Sequence, residues 1–314
     1  MRVVPPRVKR CAGLLLALGA VGSTLWLARP YSIDLVRYVV WRATAGRAFA
    51  TGGAPSGDAR IAWRTIGPLD PGAGGAGARG VDGTDPPVVL LHGGFGTDLD
   101  WYAQVPALAR RRALVLVDTR GHGGSSLGER PLSYRLFAED VVAVLDALGI
   151  GRADVVGWSD GANTGLMLAL EHAPRVRRLV AISANARPEG LVPRVREALA
   201  RGGVGGSPIA RLLHRATSPE AERWEALAEG VAGLWRNHPR LDKVDLARIA
   251  APTLVVAGSE DDVRLGHLDE VVRAMPRARL VVLPGVGHRV PQSAPREVLD
   301  LIEGFLGAVV PGAG

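Results

Sequence analysis

Gly157-Trp158-Ser159-Asp160-Gly161 sets a serine between two glycines, each two residues away. The apolar pair Val155-Val156 runs into it, and a small-residue and leucine-rich stretch leaves it from Ala162 to Glu171. A strand, a sharp turn and a helix that meet in this way lift a nucleophile onto a strained turn, and side chains at the two glycine positions would collide with neighbouring backbone. Ser159 is the candidate nucleophile. A serine hydroxyl reacts poorly until a base takes its proton, so the chemistry also demands a histidine, an acid to orient it and donors for an oxyanion. A chain with 41 glycines also produces so short a pattern by chance. The decision rests on whether the other parts appear in the order oxyanion turn, serine, acid, histidine.

They do. His92-Gly93-Gly94-Phe95-Gly96 follows the continuous apolar run Pro87-Val88-Val89-Leu90-Leu91, the mark of a parallel strand buried on both faces. Its backbone N–H groups suit a developing oxyanion; Gly94, directly after His-Gly, is preferred to Phe95 as the first donor, with the N–H of Asp160 as the second. His92 is read as a brace for the turn. Downstream, Pro252 to Gly258 reads as a buried strand and runs into Ser259-Glu260-Asp261-Asp262. Asp261, three residues after Gly258, is the preferred acid, and Asp262 is the alternative. A last strand, Ala278 to Leu283, leads to Pro284-Gly285-Val286-Gly287-His288. Of the seven histidines only His288 follows that strand in a loop, which makes it the general base. Phe95, Trp158 and Asp160 flank the reacting group and are the candidate substrate-binding residues. For Asp160 a second reading stands beside the first, since an acid in a first helical turn is stabilised by the helix dipole with no ligand.

The elements that must position these residues alternate strand and helix. Ala59 to Gly67 reads as a first strand and Ala113 to Asp118 as another, ending in Thr119-Arg120-Gly121-His122-Gly123-Gly124-Ser125, where Arg120 and His122 are assigned to structure. Leu132 to Leu148 has the periodicity of an amphipathic crossover helix, and Arg178 to Ser183 is a further strand. Gly67 to Pro87, rich in Gly, Ala, Pro and Asp, has too few large apolar groups to fold alone and reads as a mobile surface loop. Between Asn185 and Ile249 the pattern is helical throughout, with segments near Val192–Ala200, Ile209–Ala216 and Glu220–Trp235, and this stretch reads as a lid over the site at about 185–250.

Composition bounds the rest. The chain has 314 residues, 47% of them hydrophobic, with a formal charge of +7. Its basic residues are scattered and form no aromatic-interleaved stripe, so no nucleic-acid partner is expected. Cys11 is the single cysteine, which excludes an intramolecular disulfide, and the histidines lack ligand spacing, so no metal and no organic cofactor is implied. Arg2, Arg7, Lys9 and Arg10 precede an uncharged run from Cys11 to Ala28, closed by Arg29-Pro30. Eighteen residues at helical rise span about 27 Å, close to a bilayer core. Residues 1–30 are therefore read as an uncleaved signal anchor that holds the catalytic domain outside the cytoplasm, with a cleaved signal and secretion as the rival. Residues 31–58 read as an amphipathic helix and a Gly/Pro-rich linker, and 59–314 as the catalytic domain. Oligomeric state is open.

With these residues in place the chain resembles the α/β-hydrolase superfamily over about residues 59–308, through L-L-H-G-G-F-G, D-T-R-G-H-G-G-S, G-W-S-D-G-A, P-T-L-V-V-A-G-S-E-D and L-P-G-V-G-H. The resemblance implies a mostly parallel central sheet flanked by helices and a Ser159–His288–Asp261 triad that cleaves a small-molecule ester. Within it, G-W-S-D-G with Ala184-Asn185-Ala186 resembles the valacyclovir hydrolase (biphenyl hydrolase-like) group, where the acid after the nucleophile holds the α-amino group of amino-acid esters; here that residue is Asp160. Carbon–carbon bond hydrolases, lactonases, perhydrolases and non-catalytic receptors share the pattern.

Overall fold

The structure, a computed structural model, describes residues 49–67, 69, 86–202 and 206–307. The expected anchor, the helix before residue 49 and most of the Gly67–Pro87 loop lie outside the described residues. No helix among the described residues is long and apolar enough to cross a membrane.

Eight strands form one sheet in the order β1-β2-β4-β3-β5-β6-β7-β8. They are β1 (Phe49–Ser56), β2 (Ala59–Ile66), β3 (Val88–Leu91), β4 (Leu114–Val117), β5 (Ala153–Trp158), β6 (Val176–Ile182), β7 (Thr253–Glu260) and β8 (Ala278–Gly287). The first two are antiparallel to their neighbours, and β4-β3-β5-β6-β7-β8 are parallel throughout. Each central strand is buried on both faces, and alternation decides which core a residue joins. Val89, Leu91, Val115, Val117 and Val155 join one cluster, with Ala138, Val141, Val144 and Leu145 of α2 (Tyr134–Ala147). Val88, Leu90, Leu114, Leu116 and Val156 join the other, with Leu108 of α1 (Val105–Leu108) and Val298, Ile302 and Leu306 of α10 (Pro295–Gly307). Each such large side chain contributes about 1.5–3 kcal/mol by leaving water.

The edge strand β1 corrects the sequence reading. Phe49–Ser56, expected as the end of a helix and a linker, pairs residue for residue with β2, so the sheet includes Phe49–Ser56, ahead of the expected first strand at Ala59. The physical reason lies across the ladder. A Cβ on Gly52 would come 2.3 Å from the Trp63 ring, and one on Gly53 would come 2.2 Å from the Arg60 guanidinium. The glycines make room for large partners on β2, and Pro55 is tolerated because β1 is at the edge.

Between β6 and β7 the described residues hold four α-helices and no strand: α4 (Pro193–Ala200), α5 (Pro208–Thr217), α6 (Trp224–Asn237) and α7 (Lys243–Ala247). The other α-helices are α3 (Asp160–Glu171), which starts directly after Ser159, α8 (Leu265–Ala274) and α9 (Val290–Ser293).

Candidate active site

Ser159 sits at the junction of β5 and α3 with φ 53° and ψ −117°, a backbone conformation that L-residues avoid. The two flanking glycines permit it. A Cβ on Gly157 would lie 2.2 Å from the Gly161 carbonyl oxygen, and one on Gly161 would lie 2.1 Å from that of Leu91. The Ser159 N–H donates to the Ile182 carbonyl at 2.8 Å, and its own carbonyl accepts from Ala162 and Asn163 as the helix begins. Sheet and helix together hold the strained residue in place.

The ends of four neighbouring strands converge here: Ser159 follows β5, Ser183 follows β6, Asp261 follows β7 and His288 follows β8. His288 Nε2 is 3.0 Å from Ser159 Oγ, and its Nδ1 is 2.7 Å from Asp261 Oδ1. An ionised carboxylate only accepts, so Nδ1 carries the proton and Nε2 is left to take one from Ser159. Burial pulls the His288 pKa down, but the hydrogen bond and charge of Asp261, helped by Asp262 and Asp160, more than offset it, and the net shift is upward. For Asp261 burial acts to raise the pKa; bonds from His288, Ser183 and the Val263 N–H outweigh it, and the carboxyl ends below its ordinary range. Asp262 turns elsewhere, to an ion pair with Arg194. The alternative acid is thus not the one bonded to His288.

Ser183 was missed in the sequence. It is buried, holds φ 55° and donates its hydroxyl to Asp261 Oδ2 at 2.6 Å. The available signal was a small polar residue closing an apolar strand before Ala184-Asn185-Ala186. Two glutamines were also missed. Gln104 donates to the Pro291 carbonyl at 2.8 Å, and Gln292 donates to the Asp100 carbonyl at 3.0 Å, so each side of the seam between the oxyanion turn and the His288 loop reaches across to the other.

On the oxyanion side, the Phe95 N–H donates to His122 Nε2 at 3.0 Å. Burial, with the neighbouring His92, pushes the His122 pKa down to about 3, so the ring is neutral and keeps that acceptor. The Gly94 and Asp160 N–H groups have no partner among the described residues, and both residues line the cavity at Ser159. His92 bonds the Gly93 carbonyl at 2.7 Å and accepts the Thr119 N–H at 2.9 Å. Arg120 is wholly buried between Asp140 and Asp58, each 2.7 Å away.

The cavity has a volume of about 170 Å³. Trp158, Leu191, Val195 and Leu199 give it apolar wall, while Asp160, Asn185, His238 and Asp262 bring polar groups to it. No arginine or lysine lines it. Of the expected substrate-binding residues, Trp158 lines this cavity, although its indole N–H is held by the His288 carbonyl at 2.8 Å. Asp160 also lines it; its carboxylate accepts from Tyr134 Oη at 2.8 Å and from Trp235 Nε1 at 2.8 Å, and burial raises its pKa to about 6. Phe95 does not line it, which corrects the expectation. With φ 58°, its ring is turned instead against Trp224 and Trp235, with centroids 5.4 and 5.6 Å away. Among the described residues no three metal-ligating side chains gather.

Residues 88–301 match the Alpha/beta hydrolase family. A putative carbamate hydrolase RutD of Caulobacter vibrioides is 44% identical over 105 residues, 32% of this chain, which there spans only 39% of the relative's length. A pimeloyl-[acyl-carrier protein] methyl ester esterase of Aeromonas hydrophila is 31% identical over 256 residues, covering 72% of this chain and 97% of that one. Among solved structures, the enol-lactonase from Burkholderia xenovorans LB400 superposes with a TM-score of 0.64 at 22% identity, over 82% of this chain and all of that one.

Proposed function

The chain belongs to the Alpha/beta hydrolase family, and from that premise we propose that it is a serine hydrolase of carboxylic esters working through an acyl-enzyme on Ser159. The observation that carries the proposal is the unbroken hydrogen-bonded path Ser159–His288–Asp261, at 3.0 and 2.7 Å. His288 Nε2 takes the hydroxyl proton as Ser159 Oγ attacks the ester carbonyl. The N–H groups of Gly94 and Asp160 receive the oxyanion, each such donor contributing about 3 kcal/mol to the transition state. His288 then gives the proton to the departing alcohol, and water, activated by the same imidazole, releases the acid. Asp261 holds the ring in the productive tautomer and stabilises its charged form.

The esterase among the relatives acts on a methyl ester by its name, and hydrolysis of a simple ester needs nothing beyond these groups. A serine at this position argues against dehalogenase or epoxide hydrolase chemistry, which in this superfamily uses an aspartate there. Turnover of p-nitrophenyl acyl esters that vanishes in Ser159→Ala supports the proposal; unchanged turnover in that variant sinks it.

A second reading concerns the substrate. Asp160 is an acid at the cavity surface next to the nucleophile, no arginine or lysine lines that cavity, and an α-amino group would find there a carboxylate and no permanently charged cation. This supports amino-acid esters, the substrates of the valacyclovir hydrolase group. An amine-binding Asp160 loses its charge below pH about 6, so KM for an α-amino ester should rise as pH falls through that value, while KM for the deaminated ester stays flat. Parallel KM curves would discard the amine and leave the esterase. The location belongs to the same proposal: residues 11–28 tether the enzyme to a membrane, with the catalytic domain outside the cytoplasm.

A further inference from the structure

Helix α5 is apolar on two faces. Inward, Ala210 and Leu213 are partly covered and His214 is buried against Trp224, with ring centroids 5.3 Å apart. Outward, Ile209 is 59% exposed and Leu212 49%, and Ala216 is exposed one turn further on. Positions i, i+3 and i+7 fall on one stripe of a helix. Single exposed apolar side chains are ordinary on a protein surface. A continuous outward stripe on a ten-residue helix, with its opposite face already packed, is a different pattern.

The flanks of the stripe are basic. Arg211 and Arg215 stand one turn apart beside it; Arg211 pairs with Glu225, while Arg215, like Arg196 on α4, makes no ion pair among the described residues. Residues 193–218 hold five arginines, of which Arg194 pairs with Asp262, Arg201 with Glu197 and Arg211 with Glu225, and the net charge of the segment stays positive through Arg196 and Arg215. An apolar stripe edged by guanidinium groups matches the boundary between acyl chains and phosphates, where the apolar side sinks and the charges stay with the headgroups. We propose that α5 docks the helical segment of this protein onto an anionic bilayer surface.

Charge decides against the two other occupants. A second copy related by a twofold axis would bring like arginine rows together. The chain's own apolar run, Cys11 to Ala28, is itself bounded by Arg2, Arg7, Lys9 and Arg10 on one side and Arg29 on the other. Anionic headgroups complement these charges, whereas both protein partners repeat them. Helix α5 packs on α6, and α6 gives Trp235 to the cavity wall, so docking through α5 brings that wall of the site near the lipid surface.

The test uses the full chain reconstituted into vesicles of phosphatidylcholine with or without phosphatidylglycerol, in a Cys11→Ser background that carries Leu212→Cys labelled with an environment-sensitive dye. The expected result is a blue-shifted emission, quenched by lipid-borne quenchers, that requires phosphatidylglycerol and is lost in 1 M salt; a label at Val244→Cys, an apolar side chain 69% exposed on α7, should not respond. No response at 212 overturns the proposal. So does a blue shift of the same size in vesicles of phosphatidylcholine alone and in 1 M salt, which would mean that protein and not anionic lipid covers the stripe. Independently, Ile209→Asp with Leu212→Asp should cut hydrolysis of a vesicle-borne ester about tenfold or more and leave a water-soluble ester unaffected, whereas loss of both or of neither contradicts docking. The dye readout needs no catalysis, so it fails or succeeds apart from the esterase reading.

Discussion

Ser159, Ser183, Asp261 and His288 rise from the ends of adjacent parallel strands, whereas the facing side of the same cavity is made by α4 and α6. These helices meet the strand ends mainly through side chains, Trp235 on Asp160 and Arg194 on Asp262, with backbone bonding confined to the start of α4, where the Val192 N–H donates to the Asp262 carbonyl. On the strand side, atoms are fixed by backbone ladders, and a single Cβ at Gly161 would meet backbone at 2.1 Å. On the helix side the wall is Val195 and Leu199, and the outer surface of α5 is exposed apolar residues. Reactive geometry is thus set where displacement costs most, and substrate shape is set where side chains can change without disturbing the sheet. The two sides should therefore answer mutation differently.

The largest effect belongs to the strand side. Ser159→Ala or His288→Ala should lower kcat by about 10⁴-fold or more while far-UV circular dichroism stays unchanged, since the members of such a unit fail together. Asp261→Asn should cost about the same order, because it permits the wrong imidazole tautomer, while Asp262→Asn should stay within about threefold by steady-state kinetics. Equal losses at the two aspartates would erase the distinction that the 2.7 Å bond draws. Ser183→Ala removes one donor from Asp261 and should lower kcat about tenfold with KM unchanged, as expected for one charge-assisted bond of about 1.5 kcal/mol. The smallest effect belongs to the helix side: Val195→Ala should move KM about two- to fivefold with the acyl group and leave kcat for a short ester alone. A large kcat loss there would break the comparison.

The pH profile tests the strand side as a whole. As the proposed general base His288 must be neutral to act, and its pKa lies above its ordinary 6.5, so kcat/KM should fall about tenfold per unit as pH drops below that raised value and level off above it.

The sequence was most legible where backbone constraint forces residue type. A Cβ at Gly157 or Gly161 would meet backbone at 2.2 or 2.1 Å, and one at Gly93 or Gly94 would meet the Trp158 or Trp235 ring at 2.8 or 2.4 Å, so glycine is called for at each. Between Asp261 and Asp262 the sequence offers only the spacing from Gly258, because both follow β7 and side-chain direction, seen in the structure, is what separates them. Phe95 was misjudged for a similar reason: adjacency to Gly94 suggested contact with substrate, but a positive φ turns the ring toward Trp224 and Trp235. Strand β1 was illegible because its glycines read as linker until Trp63 and Arg60 are seen lying across them. Ser183 and the paired Gln104 and Gln292 act over long sequence separations, with no local pattern to announce them.

The most direct test of the central claim is intact-mass spectrometry after reaction with a fluorophosphonate, followed by peptide mapping. The account predicts one adduct per chain, on the peptide that contains Ser159, formed far more slowly in His288→Ala. A folded protein that takes no label, or that carries it on any other residue, would contradict it.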